Sequence, residues 1–186
     1  MTAESLAKIQ VDGAQIGYRR IGNGQPLLVL NGFAATSADW DPSFIDGLAS
    51  FNELILVDHR GIGGSPDNGK PFGIAQLADD AARVIEALGF ERISVLGWSM
   101  GGFIAQTLAL QHPDRINKLV LLSTDPGGTD ADLAVDRRMV PTHRHIRHAS
   151  RAGASVAVVA LSERYRRILL PRIRRHRGGC ACAVIS

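Results

Sequence analysis

Ile93-Ser94-Val95-Leu96-Gly97-Trp98-Ser99-Met100-Gly101-Gly102-Phe103-Ile104-Ala105-Gln106-Thr107-Leu108-Ala109-Leu110-Gln111-His112 is the stretch on which the rest of the chain is organised. Ile93 to Leu96 is a short β-branched and leucine run with no polar loop after it. An apolar pattern of helical period begins directly beyond a GxSxG turn. The stretch therefore predicts strand, tight corner, helix. A serine on so sharp a corner is driven toward a strained backbone conformation, and Gly97 and Gly101 leave room where strand and helix pass close to each other. The hydroxyl is lifted clear of the sheet. The N–H after it and the helix N-terminus face any negative charge that develops on a bound carbonyl. Ser99 is thus a candidate nucleophile; the competing reading of the same letters is a glycine-rich turn whose serine caps the helix.

On either side of this stretch, buried-type strands alternate with amphipathic helices. Lys8 to Arg20 reads as a hairpin, with Ile9 and Val11 alternating with polar neighbours, Asp12-Gly13 as a two-residue turn, and Ile16 and Tyr18 resuming the alternation. Pro26 to Leu30 and Leu54 to Val57 are continuous apolar runs, as expected of strands covered on both faces in a parallel sheet. Asp39 to Ser50 predicts a short helix that packs Phe44, Ile45 and Leu48. From Ile74 to Leu88, Leu77, Ala81, Val84, Ile85 and Leu88 recur at helical spacing, opposite Asp79, Asp80, Arg83 and Glu86, and Gly89 marks the stop. Asn117 to Ser123 is one further strand after the His112-Pro113-Asp114-Arg115 turn. Such alternation implies βαβ units and a mainly parallel sheet with helices on both faces, whose ligands bind beyond the carboxyl ends of the strands. Phe33, Asp58 and Ser99 all fall at that edge.

Composition separates the chain into two parts. It has 186 residues, 45% of them hydrophobic, no apolar run of membrane-spanning length and no basic-then-apolar leader at Met1 to Gln10, so a cytoplasmic protein is expected. Residues 1–133 hold 9 Lys and Arg against 16 Asp and Glu, whereas residues 134–186 hold 12 against 2, and those 12 are all Arg. Cys180 and Cys182 fit neither a disulfide framework nor a four-ligand zinc site, and no metal or organic cofactor is implied. The expected organisation is a core over 1–133 and an atypical Arg-rich tail over 134–186.

The elbow Gly97-Trp98-Ser99-Met100-Gly101-Gly102, the DxRGxGxS pattern of Asp58, Arg60, Gly61, Gly63 and Ser65, and Gln111-His112-Pro113-Asp114-Arg115 with Leu119-Val120-Leu121-Leu122 occur in order. Together they resemble the N-terminal half of the α/β-hydrolase fold over residues from about 8 to 128. The resemblance implies a serine hydrolase acting on a small ester, lactone or related acyl substrate, with the backbone N–H groups of Phe33 and Met100 forming the oxyanion hole. Met100 after the nucleophile is similar to haloperoxidase-like, enol-lactonase-like and esterase members. Asn31-Gly32 stands where the family usually carries His-Gly.

The family order is Ser, then Asp or Glu, then His. Asp125, just past the strand ending at Ser123, is the candidate acid, ahead of Asp130 and Asp132. His143, His145, His148 and His176 lie in Arg-rich sequence, which disfavours the imidazolium a general base must pass through. Asp58 and Arg60 are expected to order their loop, and His59 to be a solvated loop histidine. Trp40 and Trp98 either line an acyl pocket or pack at its rim.

After Asp132 the pattern of the last two strands and the cap is not found, and the tail lacks a strand-loop-histidine unit. Three readings of the tail are open. It has the composition that shifted translation of GC-rich DNA gives. Its Arg clusters, such as Arg164-Tyr165-Arg166-Arg167, suit nucleic acid or anionic membrane. Or it is a divergent cap, with Val156 to Leu161 buried and Tyr165 to Leu170 a basic amphipathic helix. Without the last strands, Leu119 to Ser123 becomes an open edge, so the alternative to an enzyme is a truncated non-catalytic relative prone to self-association.

Overall fold

Asp12 and Gly13 both take positive φ, 45° and 72°, which is the twist a two-residue hairpin needs. They join strand β1 (Ala7–Val11) to β2 (Ala14–Ile21), as the alternation predicts. The computed structural model describes residues 5–124 and the backbone of two short strands, 173–175 and 183–185. The further elements are β3 (Gln25–Leu30), α1 (Pro42–Ala49), β4 (Asn52–Val57), α2 (Ile74–Ala87), β5 (Ile93–Trp98), α3 (Met100–Gln111) and β6 (Ile116–Leu122). β7 (Ile173–Arg175) and β8 (Ala183–Ile185) complete the described elements.

The strands lie in the order β1-β2-β4-β3-β5-β6-β8-β7. β4, β3, β5 and β6 run parallel, while β1, β2, β8 and β7 join antiparallel at the flanks. The continuous apolar runs are indeed covered on both faces. Leu27, Val29, Leu54 and Leu56 pack with Ile45 and Ala49 of α1, whereas Leu28, Leu30, Ile55 and Val57 face α2 and α3. Asp41 caps α1 by accepting from the Phe44 N–H at 2.9 Å, and Pro42 opens its first turn. Phe44 is not the core residue expected of it. It is 38% exposed and stacks on Trp40 instead, with ring centroids 5.7 Å apart.

The register places the site. Leu30 pairs with both Val57 and Gly97, Gly97 with Leu121, and Trp98 with Leu122, so β3, β4, β5 and β6 end at one level. From β3 the chain leaves toward β4 by α1 on one face. From β5, the other neighbour of β3, it leaves toward β6 by α3 on the opposite face. Adjacent strands whose connections part in this way open a crevice at their carboxyl ends, the place where open α/β sheets bind ligands.

At the far flank the structure corrects the expectation of an open edge at β6. Ile185 and Val184 of β8 pair antiparallel with Leu119 and Val120, and β7 continues the sheet. The backbone of Val184-Ile185 supplies partners to Leu119 and Val120 of that edge, and the outer edge of the sheet passes to β7.

The loop after β4 is closed by polar contacts rather than apolar ones. Asp58 accepts from the Ser37 N–H at 2.6 Å and the Gly64 N–H at 2.7 Å, and Ser65 Oγ accepts from the Gly17 N–H at 2.8 Å. Gly63 has φ 55°, and a Cβ there would overlap the Asp58 carboxylate. Arg60 donates twice to Asp80 of α2, at 2.9 and 2.6 Å, in a pair whose side chains are 5% and 6% exposed. That carboxylate raises the Arg60 pKa further above its ordinary value. Asp58 and Arg60 therefore order the loop, as expected. Removing one partner of a buried pair strands the other charge. Asp80→Ala should cost about 3 kcal/mol or more of folding free energy in urea titration, while Glu53→Ala, which breaks a surface ion pair with the half-exposed Arg20, should cost about 1 kcal/mol or less.

Candidate active site

Ser99 sits at the junction of β5 and α3 with φ 53° and ψ −118°, a backbone region that an L-residue occupies only when its surroundings hold it there. The surroundings are backbone. The Ser99 N–H donates to Leu122 O at 2.9 Å, and Ser99 O accepts from the Gly102 N–H at 2.9 Å. A Cβ on Gly97 would lie 2.7 Å from the Gly101 carbonyl carbon and 2.8 Å from Gly102 Cα, and one on Gly101 would overlap the carbonyl of Leu30. Both glycines are thus required by close approach, as the elbow reading anticipates. Ser99 occupies the cap position of α3, yet its side chain makes no capping hydrogen bond. The capping reading fails on that observation.

Facing the elbow is the turn after β3. The Ala35 N–H donates to Gly32 O at 3.3 Å, and Ala34 at the third position has φ 57°, the arrangement of a type II turn. Phe33 occupies the second position, whose N–H the turn itself does not use, and its side chain is 81% exposed. Met100 opens α3, so its N–H is among those without an intrahelical acceptor. Both N–H groups therefore stand just beyond the carboxyl ends of β3 and β5, the two strands flanking the crevice.

Aromatic side chains surround this edge. Trp40 lies 5.6 Å from Trp98 between ring centroids, at 58°, and a Cβ on Gly32 would come within 3.0 Å of the Trp98 ring. Trp98 is 39% exposed. Trp40 also has a polar task that sequence reasoning missed: its Nε1–H donates to Asn31 Oδ1.

His59 departs from expectation. Rather than solvated, it is buried, with Nε2 3.1 Å from Asn31 O; a ring nitrogen facing a carbonyl carries the hydrogen. Burial pushes its pKa below 6.5, outweighing the opposing effects of the Asn31 carbonyl, Asp58 and Asp80. His112, at the other end of α3, is 3.0 Å from Asp79. Twelve residues of helix separate it from Ser99, about 18 Å at the helical rise. Asp125, Asp130, Asp132, His143, His145, His148 and His176, and the segments 156–161 and 165–170, lie outside the described residues. Of the Arg clusters only the backbone of 173–175 is described. Among the described residues no three His, Cys, Asp or Glu form a group that could hold a metal ion, and no helix is long and apolar enough to cross a membrane.

The family model for the alpha/beta hydrolase fold matches residues 25–142. The chain belongs to the α/β-hydrolase family. This hydrolase-fold chain is 36% identical over 110 residues to a putative carbamate hydrolase RutD of Azorhizobium caulinodans, covering 59% of this chain and 41% of that protein. It is 34% identical over 112 residues to a pimeloyl-[acyl-carrier protein] methyl ester esterase of Aeromonas hydrophila, covering 60% and 42%. An alpha/beta hydrolase fold protein from Chitinophaga pinensis superposes with a TM-score of 0.64 at 36% identity, over 69% of this chain and 47% of that one. The chain thus spans under half the length of these relatives.

Two outcomes follow from the geometry. Gly101→Ala must displace the backbone of β3, and should lower stability by about 3 kcal/mol or more in urea titration. For His59, the folded chain binds the ring proton less readily than the unfolded chain, where it titrates near 6.5. Its contribution is complete above that pH. It is lost as the pH falls toward the depressed folded value, at a slope of up to about 1.4 kcal/mol per pH unit. His59→Gln should remove this part of the acid sensitivity, seen as a smaller drop in urea midpoint between about pH 6.5 and 5.

Proposed function

We propose that this chain is a serine hydrolase acting on a small ester, lactone or related acyl substrate, with Ser99 as nucleophile. The observation that carries this reading is a hydroxyl not spent on the helix cap: Ser99 is held at positive φ at the head of α3, and its side chain makes no capping hydrogen bond. Such strain without a local hydrogen bond in return is a mark of a functional position. Ser99 Oγ attacks the acyl carbonyl, its proton passes to a base, and the Phe33 and Met100 N–H groups receive the oxyanion that forms. The tetrahedral intermediate collapses as the C–O bond to the alcohol breaks and the protonated base returns the proton to the leaving oxygen. Water, giving a proton to the same base, then attacks the acyl-enzyme, and the Ser99 Oγ–acyl bond breaks to release the acid and a reprotonated Ser99. The relatives named as a carbamate hydrolase and a methyl ester esterase support acyl chemistry of this kind.

The base is expected to be a histidine. Among the described residues, His59 directs Nε2 to Asn31 O and His112 lies at the opposite end of α3, so neither is offered for the role. This observation favours a second reading, a non-catalytic relative. An elbow and oxyanion hole without a base retain only about 10³- to 10⁴-fold acceleration over water.

A fluorophosphonate probe separates the two. For the enzyme, the purified chain labels, Ser99→Ala does not, and the same substitution lowers ester turnover at least about 10³-fold. A cooperatively folding chain that neither labels nor turns over esters above the Ser99→Ala background would refute the hydrolase reading.

A further inference from the structure

The turn that presents Phe33 is strained. Ala34 holds φ 57° with a side chain, and its one closing bond, Ala35 N–H to Gly32 O, is long at 3.3 Å. A turn of this kind keeps its shape only if residues outside it fix its ends. The residue that enters it is Asn31, which is fully buried, and every polar atom of its side chain is engaged. Nδ2 donates to Val57 O at 2.9 Å, with Ala35 O at 3.5 Å, and Oδ1 accepts from the Trp40 Nε1–H. Its main-chain carbonyl faces His59 Nε2 at 3.1 Å, and a Cβ on Gly101 would lie 2.6 Å from that same oxygen.

We propose that Asn31 is the positioning residue of the oxyanion loop, tying the turn that carries the Phe33 N–H to β4, to Trp40 and to the nucleophile elbow. Four pieces of chain meet at one residue. The side-chain amide fixes the entry to the turn against the end of β4 and against Trp40, in the segment that leads into α1. His59 fixes the Asn31–Gly32 peptide plane at the entry to the turn, and the next plane, Gly32–Phe33, which carries the Phe33 N–H, is held at its own carbonyl by the Ala35 N–H. The Asn31 carbonyl rests against Gly101, so the two oxyanion donors are referenced to each other through Asn31. The position demands a donor and an acceptor on one small planar group. Aspartate offers two acceptors and would face Val57 O with like charge, and leucine offers neither. The catalytic part of this proposal rests on the hydrolase reading; the structural part does not.

Trp40→Phe and Asn31→Asp test it in the full chain. The first removes only the indole N–H and keeps an aromatic ring against Phe44 and Trp98; the second keeps the size of Asn31 and removes its donor. Amide hydrogen exchange by NMR reads the turn directly. In both variants the Ala35 amide should exchange about tenfold faster or more, while the Val29 and Leu56 amides of the sheet keep their protection. On a short-chain p-nitrophenyl ester, kcat should fall about 10- to 100-fold with KM within about threefold, since the loss is of oxyanion alignment and not of binding. Ala35 exchange unchanged in both variants overturns the proposal. So does exchange that rises equally at Ala35, Val29 and Leu56, because Asn31 would then serve global stability alone. If the wild-type chain shows no Ser99-dependent turnover, the hydrolase reading fails, and the exchange measurement still decides the role of Asn31.

Discussion

The contact on which the site depends is the passage of Gly101 across the end of β3. The α-carbon at that position lies so close to the carbonyls of Leu30 and Asn31 that no side chain fits. Several features follow from this approach. α3 must begin immediately after Ser99, which leaves Ser99 alone to turn the chain and places it at φ 53°. β3 must end at Leu30, because the strand cannot continue beneath the helix. The chain must then bend away at Asn31, and that bend is the turn bearing Phe33. The Ser99 elbow and the Phe33 turn are two consequences of one steric constraint rather than two separately placed parts.

Close approach of backbones fixes distance, but it does not fix orientation, and polar contacts supply the rest. Asp58 reaches the Ser37 N–H on one side and the Gly64 N–H on the other, so one carboxylate joins the loop after β3 to the loop after β4. Arg60 then anchors the second loop to α2 through Asp80. These are charge-assisted bonds made in places where water is excluded, and each is stronger and more directional than a neutral equivalent. The carboxyl edge is therefore stiffened from beneath by the buried side chains of Asp58, Arg60 and Asp80.

How much of this was legible in sequence follows from the range of the interactions concerned. Strands and helices were read from patterns internal to each segment: the two-sided apolar runs of Leu27 to Leu30 and Leu54 to Val57, and the helical spacing of Leu77 to Ile85. The elbow was legible because its steric requirement is written in adjacent residues, Gly97, Ser99 and Gly101. Asn31 registered only as a departure from His-Gly, since its partners, Val57 and His59, lie 26 and 28 residues away. His59 was misjudged for a related reason. Being next to Asp58 in a glycine-rich loop suggests solvent, and only the tertiary fold shows that the loop tucks the ring beneath the Asn31 carbonyl. Phe44 has the right period for burial, but its helix presents it to Trp40 at the rim.

Asn31 and the histidine that the family resemblance leads one to expect at that position share a property that bulk and polarity scales miss. A neutral histidine and an asparagine each present one donor edge and one acceptor edge on a planar group. A buried corner that must satisfy a carbonyl from one element and an N–H from another selects for that pairing, because either one left unpaired costs its full desolvation. The exchange of one residue for the other is then conservative in hydrogen-bonding logic even though it changes charge capacity. Asparagine also leaves no titratable side chain at position 31, where the turn after β3 begins. Among the described residues the ionisable ring packed at that corner is His59, and burial lowers its pKa, so near neutral pH the turn after β3 is held by backbone dipoles and neutral hydrogen bonds rather than by a charge that comes and goes.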